Sequence, residues 1–490
     1  MNSFYCRSFC CLLYFLGTSY SVWCQQLAFS APQKITAGNA QVEILGRNSQ
    51  GTLIREKTKS DDVIAAYFDD LQFRWKKNLP RKERNADIQK ILIDNDSLIF
   101  FYTVPIKNDL ILKAFKTNAR LESYGASVIC DTVTSSFVNG IPRLQFTVTP
   151  DRQKILIYYD TPVFRDNKLL YGLCLSNSLK KLWKIKIKVK AVEAPDLIDA
   201  IVDSAGNGFY VVGDMNIKSF NNDFPYSTLN LICVRGNADR VDQYVLNQKD
   251  QFLGECKAKL DAERKNVVLT GLYSNNEGNE SNGVYYFIFN LKNDSLIAKS
   301  LEPYNEDFLI QLTGNNPPHK NDGFFNFKPV DLIVKRDGGA IFISESQSVS
   351  SETYNNTAYN GFGFSTGFTV NYYHYDDLAV YSFSSGGVLE WKQILHKTQT
   401  SEGDGGFYSS FITLIGPDKL YFVYNDIENG QTSVSSYSLT IKGDQARSDI
   451  FSADRKGVMI IPQSSRQVSP FDIILPSIKR NYLQFVKISF

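Results

Sequence analysis

Apolar and polar positions alternate in short runs along most of this chain, and turn residues punctuate the runs. The clearest stretch covers residues 329–395. It contains Pro329–Lys335, then Gly338–Ser344, Asp377–Phe383 and Leu389–Leu395, with Asp-Gly and Gly-Gly signals at the turns. Four β-rich runs joined this way predict a four-stranded antiparallel meander. Weaker copies recur at intervals of roughly 45 to 60 residues, the period of propeller blades.

Taken in order, the pattern predicts seven units. Asp62–Phe68 and Phe73–Lys77 match only a third and a fourth strand. The next unit uses Asp87–Ile93, Ser97–Val104, Asp109–Phe115 and Arg120–Ser123. Further units begin at Leu144, Asp196, Glu255 and Pro329. The seventh takes Ser409–Ile415, Lys419–Tyr424, Ser433–Leu439 and Val458–Ile461. Phe471–Leu475 and Tyr482–Ser489 are left over. Pairing these C-terminal strands with the N-terminal half unit would close a ring and leave no open sheet edge. The expectation is therefore an all-β propeller of seven four-stranded blades, or of eight if residues 40–60 supply strands of their own. Residues 61–490 form the propeller domain in this division, and residues 25–60 are an N-terminal extension with extra strands.

Two local features favour blades over a sandwich. Trp-Lys recurs on fourth strands, at Trp75, Trp183 and Trp391, where a large ring can fill the gap between blades. Lys184–Lys190 alternates lysine with apolar residues, which suits an outer strand packed on one face and guarded by charge on the other.

The N-terminus breaks the pattern. Arg7 precedes a short apolar core from Ser8 to Gly17, and polar residues resume at Gln25. This is the layout of a secretory signal peptide over residues 1–24, with Val22 and Cys24 at the cleavage positions. Lipidation of Cys24 is a second reading, disfavoured by bulky Trp23, and a buried N-terminal strand is a third. Export would place the protein in the periplasm, on the cell surface or outside the cell. No apolar run of membrane-spanning length follows. Four of the eight cysteines, Cys6, Cys10, Cys11 and Cys24, fall in that leader. The spacing of Cys130, Cys174, Cys233 and Cys256 fits no zinc pattern, and buried free thiols are expected.

Composition removes some functions. A net charge of +2 gives no basic field for nucleic acid. Only His319, His374 and His396 are present, at no metal-ligand spacing. Neither a metal nor a cofactor is expected, and no nucleophile elbow marks a catalytic serine. The pairs Asp61-Asp62, Asp69-Asp70 and Asp376-Asp377 sit where Asp bonds local backbone. Asn425–Gly430 carries calcium-friendly oxygens without the spacing of an EF-hand.

The Gly387-x-x-x-Trp391-Lys392 turn resembles the tryptophan repeat of quinoprotein-like propellers. Tyr381 and Phe383 depart from that repeat, so its quinone cofactor does not carry over. The sialidase Asp-box fits less well, since Ser382–Gly387 lacks the aspartate. Over its whole length the chain resembles the uncharacterised secreted β-propeller proteins of Bacteroidota. The resemblance rests on Asp376-Asp377-Leu378, Gly387–Lys392, Leu420–Asp426 and Gln484–Phe490. It implies an exported or envelope protein and no particular reaction.

One insertion interrupts the period. About thirty residues, Glu345 to Asp376, separate two strands that normally need only a few between them. They include Tyr354, Tyr359, Phe362, Phe364, Phe368, Tyr372, Tyr373 and Tyr375 among Asn, Thr, Ser and Gly. Rigid aromatics among small polar groups suit recognition of a protein or a sugar ring. The bland alternative is a long hairpin whose aromatics extend the blade. A second insertion, Thr313–Phe327, carries Pro317-Pro318-His319.

The leading expectation is a non-enzymatic interaction module that binds a protein or glycan through loops on one face. The competing one is a hydrolase or lyase on glycans or peptides, which needs carboxylates lining the central channel; on the mostly apolar first strands Asp196, Asp199 and Asp331 are the few candidates. Fold alone does not choose between them.

Overall fold

The structure is a computed structural model. It describes residues 25–35, 41–58, 61–80, 83–107, 109–134, 142–160, 169–189, 194–215, 222–247, 250–276, 278, 280–313, 324–356, 366–428 and 430–490. Residues 1–24, expected to be a signal peptide, and His319, Tyr359, Phe362 and Phe364 lie outside these residues.

The strands form consecutive antiparallel meanders. The first sheet uses Gln41–Asn48, Gly51–Lys57, Asp62–Tyr67 and Phe73–Asn78. The second uses Asp87–Asp94, Ser97–Ile106, Asp109–Asn118 and Val128–Thr134. The third has Gln145–Val148, Lys154–Asp160, Leu169–Ser176 and Lys181–Lys188. The fourth has Ala194–Val202, Gly208–Met215, Tyr226–Arg235 and Arg240–Asn247. The fifth has Phe252–Asp261, Asn266–Ser274, Gly283–Asn290 and Ser295–Pro303. A single residue pair, Tyr226 with Leu253, links these last two. The sixth has Phe327–Val334, Ala340–Asn356, Thr366–Phe383 and Leu389–Leu395. The seventh has Ile412–Ile415, Lys419–Glu428, Gln431–Thr440 and Gln445–Ser452. The last joins Arg466–Gln467, Asp472–Lys479 and Tyr482–Ser489 to Gln26–Phe29 from the other end of the chain.

The two ends of the chain do meet, but through a different N-terminal strand from the expected one. Asp62–Tyr67 pairs with Gly51–Lys57, so the first sheet is complete without C-terminal strands. This is the arrangement the eight-blade alternative required. Gln26–Phe29 instead forms the outer strand of the last sheet, from Gln26 opposite Ser489 to Phe29 opposite Val486.

Apolar clusters lie between successive sheets, and their sequence closes on itself. Leu53 and Ile64 of the first sheet pack with Phe100 and Phe115 of the second. Further clusters link each sheet to the next as far as the last. Ile474 and Phe485 of the last sheet then pack with Ile54 and Tyr67 of the first. Sheets packed face to face around a closed circuit are the β-propeller architecture. Burial at about 25 cal/mol per Å2 of apolar surface makes these interfaces the main stabilising term.

The repeated tryptophans act between sheets, as their spacing predicts. Trp183 Nε1 donates to the carbonyl of Gly206 in the next sheet at 2.6 Å. Trp391 Nε1 donates to the carbonyl of Ile441, also one sheet on, at 2.9 Å. In all three Trp-Lys strands a bulge falls just before the tryptophan. Gly443 has φ of 89°, and a Cβ there would meet the Trp391 ring at 2.9 Å, so the turn needs glycine.

Two expected fourth strands are corrected. Arg120–Ser123 is a turn, with Leu121 at φ of 56°, and the strand is Val128–Thr134. In the seventh sheet the outer strand is the polar Gln445–Ser452, whose first five residues are exposed. Val458–Ile461 is apolar because Val458 and Ile460 pack beneath that sheet against the last one. Cys130, Cys174, Cys233 and Cys256 are buried free thiols, as expected, and burial pushes each up to about 12.

Candidate functional site

In an antiparallel meander, connections alternate between the two ends of the strands. The turns joining first to second and third to fourth strands are short, for example Asp94 to Ser97 and Phe383 to Leu389, except between Asn118 and Val128 in the second sheet. The other end carries the long connections, including helix Glu306–Thr313 and the insertion in the sixth sheet. Candidate functional groups therefore collect on one face of the ring.

The insertion is not a loop but the long hairpin of the alternative reading. Ala340–Asn356 and Thr366–Phe383 are continuous strands of 17 and 18 residues, paired from Ala340 opposite Phe383 to Asn356 opposite Thr366. They leave the sheet as a two-stranded arm. Thr, Val and Tyr favour extended backbone. Both faces of the arm meet solvent, so no polar alternation marks it as a strand in the sequence.

Strand alternation divides the predicted aromatics between the two faces. Tyr354 lies directly opposite Phe368, and their rings stack with centroids 5.3 Å apart. These two are 44% and 59% exposed. Tyr354 Oη donates to Glu352 Oε2 at 2.6 Å and lies 3.3 Å from Tyr372 Oη. Ser350 and His374 continue this face, with Ser350 Oγ 2.9 Å from His374 Nε2 and Thr400 Oγ1 3.1 Å from Nδ1. Tyr373, opposite Val349, and Tyr375, opposite Gln347, belong to the other face. Tyr375 packs on Gly406, where a Cβ would meet its ring at 2.3 Å. The structure thus brings together Tyr354, Phe368 and Tyr372 and separates Tyr373 and Tyr375 from them.

Beneath the arm lies a buried polar network that the sequence did not disclose. Lys397 Nζ donates to the Tyr375 carbonyl at 2.7 Å and to Gln399 Oε1 at 2.9 Å, and pairs with Glu345 Oε1 at 2.8 Å. Glu345 Oε2 accepts from Ser410 Oγ at 2.7 Å and Gln347 Nε2 at 2.8 Å. Gln399 Nε2 reaches the Asn425 carbonyl, and Asn425 Nδ2 reaches the carbonyls of Tyr408 and Ile460. Burial lowers the Lys397 pKa, partly offset by Glu345. The chain ties the arm's root through the seventh sheet to residues beside the last. Its members were visible only as scattered polar residues.

The acidic candidates for the axis separate into two roles. Asp199 and Asp331 each follow a bulge in a first strand and accept the N–H of the next residue at 2.8 Å. Asp131, after a bulge in the fourth strand of the second sheet, likewise accepts the Thr132 N–H, at 2.7 Å. These carboxylates satisfy irregular backbone, which is a structural task. Asp196 differs. It accepts from Tyr226 Oη at 2.8 Å and lines a cavity of about 420 Å3 with Asp223, Phe224, Glu255 and Lys328. Burial raises the Tyr226 pKa, and Asp196 adds to it, so the phenol keeps its proton at neutral pH. Lys328 pairs with Asp223 at the rim.

The remaining sequence candidates are structural. Asp62 accepts from Arg55 Nε and Nη2 at 2.9 and 2.8 Å. Asp376 and Asp377 accept backbone N–H groups of Gln399 and Lys397. Asp377 also lies 3.3 Å from exposed His396. Among the described residues no group of three His, Cys, Asp or Glu side chains could hold a metal ion. No helix among them is long and apolar enough to cross a membrane.

No protein-family model and no curated protein matches the chain. Solved structures similar to it include the WD40 domain of SCAP from fission yeast, at 9% identity and TM-score 0.41, covering 95% of this chain and 98% of that one. The Nup133 β-propeller domain of Vanderwaltozyma polyspora gives 11% identity and TM-score 0.38, covering 83% and 100%. The polysaccharide lyase Uly1 gives 8% identity and TM-score 0.35, covering 93% and 99%.

Proposed function

We propose that the protein is an exported, non-enzymatic interaction module, an eight-bladed propeller that binds a protein or glycan through its long-connection face. The observation that carries this reading is the arm, which holds the stacked Tyr354 and Phe368 in solvent. An exposed aromatic pair contributes little to folding and suits a partner's surface. The leader over residues 1–24 directs export in this reading, to the periplasm, the cell surface or the medium. The test compares tagged wild type with the Tyr354→Ala/Phe368→Ala double variant, each recovered from the native cell envelope and analysed by mass spectrometry. A stoichiometric partner or glycan on the wild type, lost from the variant, is the expected result. A solitary wild-type protein sinks the reading.

A second reading, a hydrolase or lyase acting on glycans or peptides, has one observation in its favour. The cavity beside Asp196 combines a carboxylate, a protonated phenol at Tyr226 and the exposed carboxylate Glu255. Turnover of a glycan or peptide panel that disappears in Asp196→Asn and Tyr226→Phe would establish it in place of the first.

A further inference from the structure

The arm carries a backbone edge out beyond the sheet to which it belongs. Within the sixth sheet, Phe327–Val334 covers one side of the long strand only as far as Ser346. The Gln347 N–H is taken by the Asn326 carbonyl. From Ser348 to Asn356 the strand pairs with its hairpin partner on one side and with no strand among the described residues on the other. Beside the root, the hairpin partner is itself covered, since Thr400–Glu402 pairs with Tyr372–His374.

Several outer strands carry the charges that discourage edge-to-edge pairing, whereas Gln26–Phe29 is only four residues long and Val128–Thr134 has Asp131 alone. Phe73–Asn78 has Arg74, Lys76 and Lys77; Lys181–Lys188 has four lysines; Gln445–Ser452 has Arg447 and Asp449. The arm's edge, Ser348-Val-Ser-Ser-Glu-Thr-Tyr-Asn-Asn356, has one charge, Glu352, and neither proline nor a bulge. Unpaired N–H and C=O groups on a long, nearly neutral strand are a template for one more strand.

We infer that the Ser348–Asn356 edge binds an extended segment of a partner protein by strand addition, with a Lys or Arg of that segment facing Glu352. The inference rests on the reading of the arm as the binding element and names its partner class. Two observations favour a protein strand over a sugar. The Tyr354 and Phe368 rings stack on each other at one face each, which leaves less flat surface for a sugar ring, and the Tyr354 hydroxyl is engaged by Glu352 and Tyr372. Backbone is what remains to be paired. Charge excludes a second copy as the natural occupant, because a two-fold pairing along the whole edge centres on Glu352 and sets two carboxylates opposite each other. Val349, 60% exposed on the other face, sets a preference for an apolar residue beside it.

The test uses a random 12-residue peptide library displayed on phage, selected against the chain beginning at Gln25. The expected clones alternate apolar and polar residues, contain one Lys or Arg at a fixed position and lack proline. Glu352→Lys is expected to weaken the selected peptides about tenfold. Val349→Lys/Ser351→Lys, which guards the edge, is expected to abolish binding, and Thr369→Lys on the opposite strand of the arm to leave it intact. Thermal unfolding of each variant checks that the ring persists. No enriched clones, proline-rich clones, or clones indifferent to Val349→Lys/Ser351→Lys overturn strand addition. An envelope ligand still lost on Tyr354→Ala/Phe368→Ala in that case leaves the arm as the binding element with a different mode of recognition.

Discussion

Lys397 Nζ lies 2.8 Å from Glu345 Oε1 at the root of the arm, and both side chains are fully buried. Glu345 lies one residue before the end of the pairing with Phe327–Val334, where the strand runs out into solvent, and Lys397 sits just past the sheet's outer strand. Removing one partner strands a buried charge. Lys397→Met and Glu345→Gln are each expected to cost about 3–5 kcal/mol. The double variant should cost less than their sum, as a denaturant double-mutant cycle would show.

Trp183 is the second test of how sheets are joined. Its indole N–H is bonded to the Gly206 carbonyl in a buried site. Trp183→Phe keeps the ring but leaves that carbonyl unsatisfied, for an expected loss of about 1–3 kcal/mol. Trp183→Ala opens a cavity as well, for about 3–5 kcal/mol. Urea midpoints measured for both variants would decide.

Ring closure depends on the N-terminal strand. The Ser30 N–H donates to the Phe485 carbonyl and the Phe485 N–H to Ser30 Oγ, both at 2.9 Å. Phe29 packs on Phe451 with ring centroids 5.5 Å apart. Ser30→Ala should cost about 1 kcal/mol. A chain that starts after Lys34 exposes the edge of Tyr482–Ser489, and it is expected to melt earlier and to associate, with light scattering as the readout.

Asp472 links acid stability to the same sheet. Burial pushes its carboxyl up, but hydrogen bonds from Ser489 Oγ (2.5 Å) and Ser469 Oγ (2.7 Å), with Lys487 and Arg47 nearby, outweigh burial and hold the pKa below the usual value. A carboxylate depressed in the folded state stabilises above its unfolded pKa, near 3.9, and that stability is lost as pH falls through the folded pKa. Asp472→Asn should therefore be less stable than wild type at pH 7 and converge with it in acid. Parallel curves in thermal melts from pH 7 to 2 would count against this.

The sequence by itself determined the class of fold and most of the blades. Period-two runs between turn residues mark a strand wherever one face is buried and the other wet, and the Trp-Lys strands show where sheets meet. It failed where burial does not follow that rule. Gln445–Ser452 is an outer strand too polar to be noticed, and Val458–Ile461 is apolar because it lies under a sheet. The arm was legible as an aromatic insertion with a long hairpin as one of its two readings, but nothing in the sequence chose the hairpin, since with solvent on both sides nothing imposes alternation. Which aromatics share a face, which aspartates serve bulges, and how Lys397 finds Glu345 were decided only in three dimensions. Those relations pair residues distant in sequence, and their energies depend on burial, which the closed ring alone creates.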